Sequence, residues 1–241
     1  MGEIRRYLDE RETAKTRGVE RGPVVRALRR VTGFGFRQSA KVYATKAVSP
    51  LERRRARELG QARPLLLHLG SGGHELSGWV NVDLVGMGSD LRWDLTTKLP
   101  FPDGSADAVF LEHVLEHFPL ETVLAMLAEC RRVLAPGGIV RVGVPDFGRY
   151  AESYAGDRSF LEELRPGRPT PLLALAEVAL SHGHRSVWDA ETLERVLEES
   201  GFVEVRRRAF GDTDLDTSPD NPKREAESVY AEGARPPDAS P

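Results

Sequence analysis

The stretch "LLLHLGSGGHELSGWVNVD", Leu65 to Asp83, decides the fold. "LLLHL" is a short unbroken apolar run, the pattern of a strand buried on both faces of a parallel sheet. A glycine turn follows at once, Gly70 to Gly73, and a second strand, "WVNVD", ends in an acid, Asp83. Glycine at a strand end allows a ligand to approach the backbone closely.

Outward from this unit the pattern repeats. "DLRWD" (Asp90–Asp94), "ADAVFLEH" (Ala106–His113) and "IVRVGVPD" (Ile139–Asp146) read as further strands. "PLETVLAMLAECRRVL" (Pro119–Leu134) has helical apolar spacing and is expected to end at "APGG". Helical material is expected from Phe147 to Leu180. "DAETLERVLEESG" (Asp189–Gly201) has an acidic first turn and a terminal glycine, as a helix should. "FVEVRRRAF" (Phe202–Phe210) and "ESVYAEGA" (Glu227–Ala234) complete the strands. Such alternation predicts an α/β fold, an open, mostly parallel sheet with helices on both faces. Ligands of such sheets bind beyond the carboxyl ends of the strands. The candidate residues fall in that row: Gly70–Gly73, Asp83, Asp94, Glu112–His113 and Pro145–Asp146.

Bulk properties bound the rest. The chain has 241 residues, 40% hydrophobic and 29% charged, enough for one substantial domain with appendages. No run is long and apolar enough to span a membrane, and no signal peptide is evident. One cysteine, Cys130, excludes an internal disulfide and fits a cytoplasmic protein. The net charge of −3 conceals an asymmetry. Residues 1–63 hold 17 Lys and Arg against 7 Asp and Glu, whereas residues 64–241 hold 17 against 30. The sequence therefore divides into a basic N-terminal helical segment (1–63), an acidic domain (64–235) and a disordered tail (236–241). Short helices are expected at "PVVRALRRV" (Pro23–Val31) and "SPLERRRAREL" (Ser49–Leu59), with "GFGF" between them. Their narrow apolar faces need a partner surface. The basic segment packs on its own acidic domain, or reaches nucleic acid or a membrane surface.

Which ligand suits the turn? A dinucleotide fingerprint needs a glycine at position 75, which is Glu75, and an acid about 20 residues beyond the first glycine. Asp83 follows Gly70 by only 13 residues. The segment between is too short for an ordinary crossover helix, whose N-terminus a pyrophosphate would want. No G-x-x-x-x-G-K-[ST] run occurs either. A nucleoside without phosphate fits better. S-adenosylmethionine (SAM) needs close backbone approach, which Gly70, Ser71 and Gly72 allow. Its two ribose hydroxyls can share one carboxylate, for which Asp83 is placed. Asp94, at the next strand end, is a candidate acceptor for the adenine amino group.

These residues carry a resemblance. "LHLGSGG", "GWVNVD", "WDLTTKLPFPDGSADAVFLEHVLEHF" and "RRVLAPGGIVRVGVPD" resemble the class I SAM-dependent methyltransferases, in particular small proteins with GWVNVD, HVLEH and RVLxPGG motifs. It covers roughly 80 contiguous residues and continues more weakly through "GHRSVWDAETLERVLEESGFVEV" and "ESVYAEGARP". The resemblance implies a Rossmann-like, seven-stranded sheet with the last strand antiparallel. It implies that Gly70 and Gly72 face the methionine part of SAM, Asp83 the ribose, Asp94 with Leu95 the adenine, and Glu112–His113 the edge under the sulfonium. Two departures stand out: His68 where many relatives carry an acid before the turn, and Ser71 where the small family has cysteine.

Methyl transfer from a sulfonium needs alignment above all, and an oxygen acceptor often needs a base as well. Candidate catalytic residues are His117, Asp146 and His184, with His113 and His182 nearby in sequence. "HVLEH" sets His113 and His117 at i, i+4, as if on one helical face. That spacing could suit a metal pair, but HVLEH recurs in the resemblance without requiring metal, and no metal is expected. The expected activity is methylation of a small-molecule or glycan acceptor, oxygen favoured over nitrogen. An RNA methyltransferase is the first rival. It lacks support from a "[DN]PP[YF]" signature, since that position reads "LEHV". A non-catalytic SAM-binding or scaffold protein, with a membrane-associating basic arm in residues 1–60, is the second.

Overall fold

The computed structural model describes residues 2–7, 50–84 and 88–238. Seven strands form one sheet: β1 (Leu66–Leu69), β2 (Val80–Asp83), β3 (Leu91–Arg92), β4 (Ala106–Glu112), β5 (Leu134–Pro145), β6 (Val203–Arg208) and β7 (Ser228–Ala234). Their spatial order is β3-β2-β1-β4-β5-β7-β6. Strands β1 to β5 pair in parallel. Strand β7 runs antiparallel between β5 and β6. The chain order reverses direction at β1, so ligand chemistry belongs at the carboxyl ends of β1, β2 and β4.

The apolar runs form the central strands because both of their faces are covered. Leu67, Leu69, Val109, Leu111, Val140, Val142 and Val144 are buried in one core. Helix α1 (Leu120–Val133) crosses from β4 to β5 and buries Val123, Met126, Leu127, Cys130 and Val133, a stripe at helical spacing. Burial pushes the Cys130 thiol up to about 12, so this cysteine is a packing residue and not a nucleophile. The helix ends within one residue of the expected Leu134, but "APGG" lies inside β5 and does not cap it. Leu134 already has extended backbone and opens β5, where it pairs with Ala106 before a register shift. The strand thus starts five residues earlier than the apolar run Ile139–Val144 suggests.

Helices α2 (Phe147–Ala155), α3 (Ser159–Leu164) and α4 (Pro171–Leu180) follow β5 and share a smaller core of Tyr150, Leu161, Ala174 and Val178. Helix α5 (Ala190–Glu199) begins where the Asp189 side chain accepts the Thr192 N–H, and it buries Leu193, Val196 and Leu197.

The basic segment is described only in part, and "PVVRALRRV" and "GFGF" lie outside the described residues. Residues 50–59 are helical, as expected. They do lean on the domain: Ala56 joins the main core, and the buried Glu52 accepts the Arg92 backbone N–H and Nε, each at 3.1 Å. Tyr7 is buried too, its hydroxyl 3.3 Å from Glu177 of α4. Among the described residues no helix is long and apolar enough to cross a membrane.

Candidate active site

Residues 70–79 join β1 to β2 without a helix, as the short spacing predicted. Buried Asn81 organises the connection instead. Its carbonyl accepts the Leu76 N–H at 2.9 Å and faces His68 Nδ1 at 3.1 Å. Its amide donates to Leu76 O and to the Asp90 carboxylate. His68 is therefore structural: burial drops its pKa to about 4, and its ring packs 5.0 Å from that of Phe110.

The glycine turn is closed on itself. Gly70 and Ser71 donate to Val82 O, Gly72 donates to Asp83 Oδ2 at 3.0 Å, and His74 donates to Ser71 O. With these four N–H groups engaged, the turn does not offer the donor array that a pyrophosphate requires. Space remains in front of it. Among the described residues, a Cβ on Gly73 would meet nothing within 4 Å, and one on Gly72 only Gly70 O at 4.0 Å. Gly70 is glycine for another reason as well: its φ is +76°, and a Cβ there would lie 2.4 Å from Val114 Cγ2. The turn and the segment after β4 are therefore in direct contact. Ser71 Oγ is buried beside this turn and makes no hydrogen bond among the described residues.

Asp83 ends β2, half-buried, facing the turn through Gly72. Asp94 lies two residues beyond β3, and Trp93 N–H donates to Asp83 O, so the two acids belong to neighbouring strand ends. One oxygen of Asp94, Oδ1, is occupied by the Thr96 N–H and hydroxyl. Leu95 is buried in the core, which leaves only its backbone for a ligand. An open turn with engaged N–H groups, next to a carboxylate that can accept two hydroxyls, fits a nucleoside lacking a pyrophosphate.

Glu112 and His113 are tied to the segment 221–230. Glu112 Oε1 accepts Tyr230 OH at 2.9 Å and the Asn221 N–H at 3.0 Å. His113 has φ +54° and sets Nε2 2.8 Å from Ser228 Oγ. "HVLEH" is also not a helical face: Leu115–His117 is a single 3-10 turn, with His113 outside it. The two histidines instead flank Glu116, whose Oε1 is 3.4 Å from His113 Nδ1 and 4.0 Å from His117 Nε2.

His184 arrives from the loop after α4. Its ring lies 5.1 Å from that of His117, edge to face, and its Nδ1 is 2.7 Å from Val178 O. Glu116 O accepts the N–H groups of Arg185 and Ser186, which fastens this loop to the turn after β4. The structure thus brings His117 and His184 together, 67 residues apart in sequence. Asp146 caps α2, its Oδ1 accepting the Arg149 N–H. The spacing of the sequence did not reveal Glu116. It is 1% exposed, and both of its carboxylate oxygens lack a hydrogen bond among the described residues. Burial raises its pKa to about 8. The same burial lowers His113 to about 3 and His117 to about 4, and it lowers His184 as well. The imidazoles are therefore neutral at physiological pH.

A second residue that the sequence concealed is Arg141, inside "IVRVGVPD". It is fully buried in β5, paired bidentately with Asp220 at 2.6 and 2.5 Å and with Glu232 at 2.8 Å. Its remaining donors reach Asp212 O and Ala209 O. This network fixes the 209–221 loop, from which Asn221 then holds Glu112.

Residues 82–142 match the family model of a methyltransferase domain. A Mycolicibacterium smegmatis protein named "Probable S-adenosylmethionine-dependent methyltransferase/" is 32% identical over 113 residues. The match spans 47% of this chain and 35% of that relative, so the chain covers about a third of its length. Among solved structures, a SAM-dependent methyltransferase from Archaeoglobus fulgidus is 16% identical, with a TM-score of 0.46 over 79% of this chain and 94% of that one. A Thermotoga maritima SAM-dependent methyltransferase is also 16% identical, with a TM-score of 0.44 over 83% and 95%.

Proposed function

We propose that this chain, which carries a class I SAM-dependent methyltransferase domain, transfers a methyl group from SAM to a hydroxyl of a small-molecule or glycan acceptor. The observation that carries the cofactor half is the closed, open-faced turn at Gly70–Gly73 with Asp83 beside it. SAM supplies an electrophilic methyl on a sulfonium, displaced in line by the acceptor. What this chain does is bind and align. Asp83 accepts the ribose hydroxyls, and Gly72 fixes that carboxylate through its N–H. The side-chain-free surface of Gly72 and Gly73 lets the methionine part lie against the backbone. Asp94, through the oxygen that Thr96 does not hold, and the backbone of Leu95 receive the adenine.

A hydroxyl acceptor must lose its proton as the new carbon–oxygen bond forms and the carbon–sulfur electron pair returns to sulfur. The His117–His184–Glu116 cluster supports the choice of oxygen, because its neutral imidazoles stand beyond the ends of β4 and β5. Asp146, as a helix cap, positions α2 rather than touching an acceptor. Incubation with radiolabelled SAM and a panel of hydroxylated small molecules and glycans tests the reading. A base-stable methyl ether is expected; label that appears only on nitrogen or carbon overturns the choice of oxygen.

A further inference from the structure

The geometry points to a binding site for one divalent transition-metal ion, of the zinc class, held by Glu116, His117 and His184. A ligand atom from each lies within 4.8 Å of the others. Zinc bound to two imidazoles and a carboxylate at about 2.0–2.1 Å places its ligands roughly 3.4 Å apart, so closure needs side-chain rotations on the order of 1 Å. The Glu116 carboxylate is the independent sign of a ligand. It is buried, has no hydrogen-bond partner among the described residues, and has two imidazole nitrogens within 4.0 Å of Oε1. A buried carboxylate without a partner is costly, and a cation removes that cost.

His184 is prepared for the same role. Nδ1–H donating to Val178 O fixes the tautomer that leaves the Nε2 lone pair available. Metal-bound histidines are oriented in this way by a backbone carbonyl. His113, held by Ser228 through Nε2, brings Nδ1 to 3.4 Å from the same oxygen, Glu116 Oε1. Two nitrogens and one carboxylate favour zinc, iron(II) or cobalt(II) over magnesium or calcium, which prefer oxygen. Three protein ligands leave a fourth position for water or a ligand oxygen. On the methyl-transfer reading above, that oxygen is the acceptor hydroxyl's, and with both imidazoles engaged as ligands its acidified proton leaves to solvent; the binding itself does not depend on that reading.

The test uses the full untagged chain, stripped with chelator and titrated with ZnCl2 by calorimetry without SAM. One equivalent bound at micromolar affinity or tighter is expected, weakened at least tenfold in His184→Ala and in Glu116→Gln, and unchanged in a His74→Ala control. CoCl2 titration of the parent gives a second readout, since a four- or five-coordinate cobalt site has visible bands that hexaaquo cobalt lacks. No stoichiometric binding by the folded parent overturns the site, as does binding that survives both substitutions. Because SAM is titrated separately, loss of the metal site and loss of the cofactor site are distinguishable.

Discussion

At the residue scale, burial without compensation sets the chemistry of the 113–117 segment. Glu116 has its pKa raised to about 8, and His113 and His117 have theirs lowered to about 3 and about 4. The sign of each follows from linkage. Below the unfolded-state pKa of histidine, 6.5, the unfolded chain binds more protons than the folded one, so stability falls as pH drops from 6.5 toward 3. For Glu116 the folded state retains a proton that the unfolded state releases, so stability falls as pH rises from 4.5 toward 8. Both effects leave the metal-stripped chain most stable near pH 6.5, measurable as urea midpoints across pH. Glu116→Gln keeps the shape without the charge. In chelator at pH 9 it is expected to be more stable than the parent by on the order of a few kcal/mol. An alkaline decline identical in both proteins would show that Glu116 ionises freely. Asp146→Ala belongs here too: loss of an N-cap costs about 1 kcal/mol of stability, checked by thermal denaturation. A far larger loss of activity than of stability would place Asp146 in the chemistry after all.

At the element scale, single side chains hold the connections that bring the strand ends together. Arg141 lies in β5, yet its partners are Asp220, Glu232 and the backbone of the 209–221 loop. Arg141→Met leaves buried Asp220 without a cation, while Glu232 keeps Arg208, and the loss costs about 3–5 kcal/mol. The loop should open first, so amide exchange at Asn221 and Gly211 is expected to accelerate more than in β1. Uniform acceleration would mean that the network stabilises the whole sheet and not this loop. Much of the element pattern was legible in the sequence. Apolar runs marked the buried strands, and Asp189 marked the start of α5 by its cap chemistry. The start of β5 was not legible, because pairing of Leu134 with Ala106 is a long-range event that "APGG" contradicts locally. Glu116 and Arg141 were hidden for the same reason. A charged residue in a sequence pattern reads as solvated until the chain that buries it is in place. Asp83 and the glycine turn were readable because their proximity follows from two adjacent parallel strands.

At the scale of the whole molecule, the basic and acidic parts are not independent. The helix over residues 50–59 carries four arginines, yet it fixes itself through Ala56 in the core and Glu52 on Arg92. Deleting residues 1–63 therefore exposes core surface. The melting temperature is expected to fall by roughly 5 °C or more, since about 1 kcal/mol corresponds to 2–4 °C in a domain of this size. An unchanged melting temperature would mean that the helix rests on the domain without supporting it. Beyond the sheet, α2 to α4 form a second small core, attached to residues 2–7 by Tyr7 and Glu177. This unit meets the strand ends through the loop that delivers His184, where the proposed reading puts the acceptor.

The claim on which all of this turns is that Asp83 and the Gly70–Gly73 turn hold SAM. Isothermal titration calorimetry with SAM and with S-adenosylhomocysteine, on the parent and on Asp83→Ala, tests it most directly. The parent is expected to bind both at micromolar concentration. The folded variant is expected to lose about 10- to 100-fold in affinity, the worth of hydrogen bonds to a charged acceptor. A well-folded parent that binds neither ligand, or an Asp83→Ala protein that binds as tightly as the parent, would contradict it.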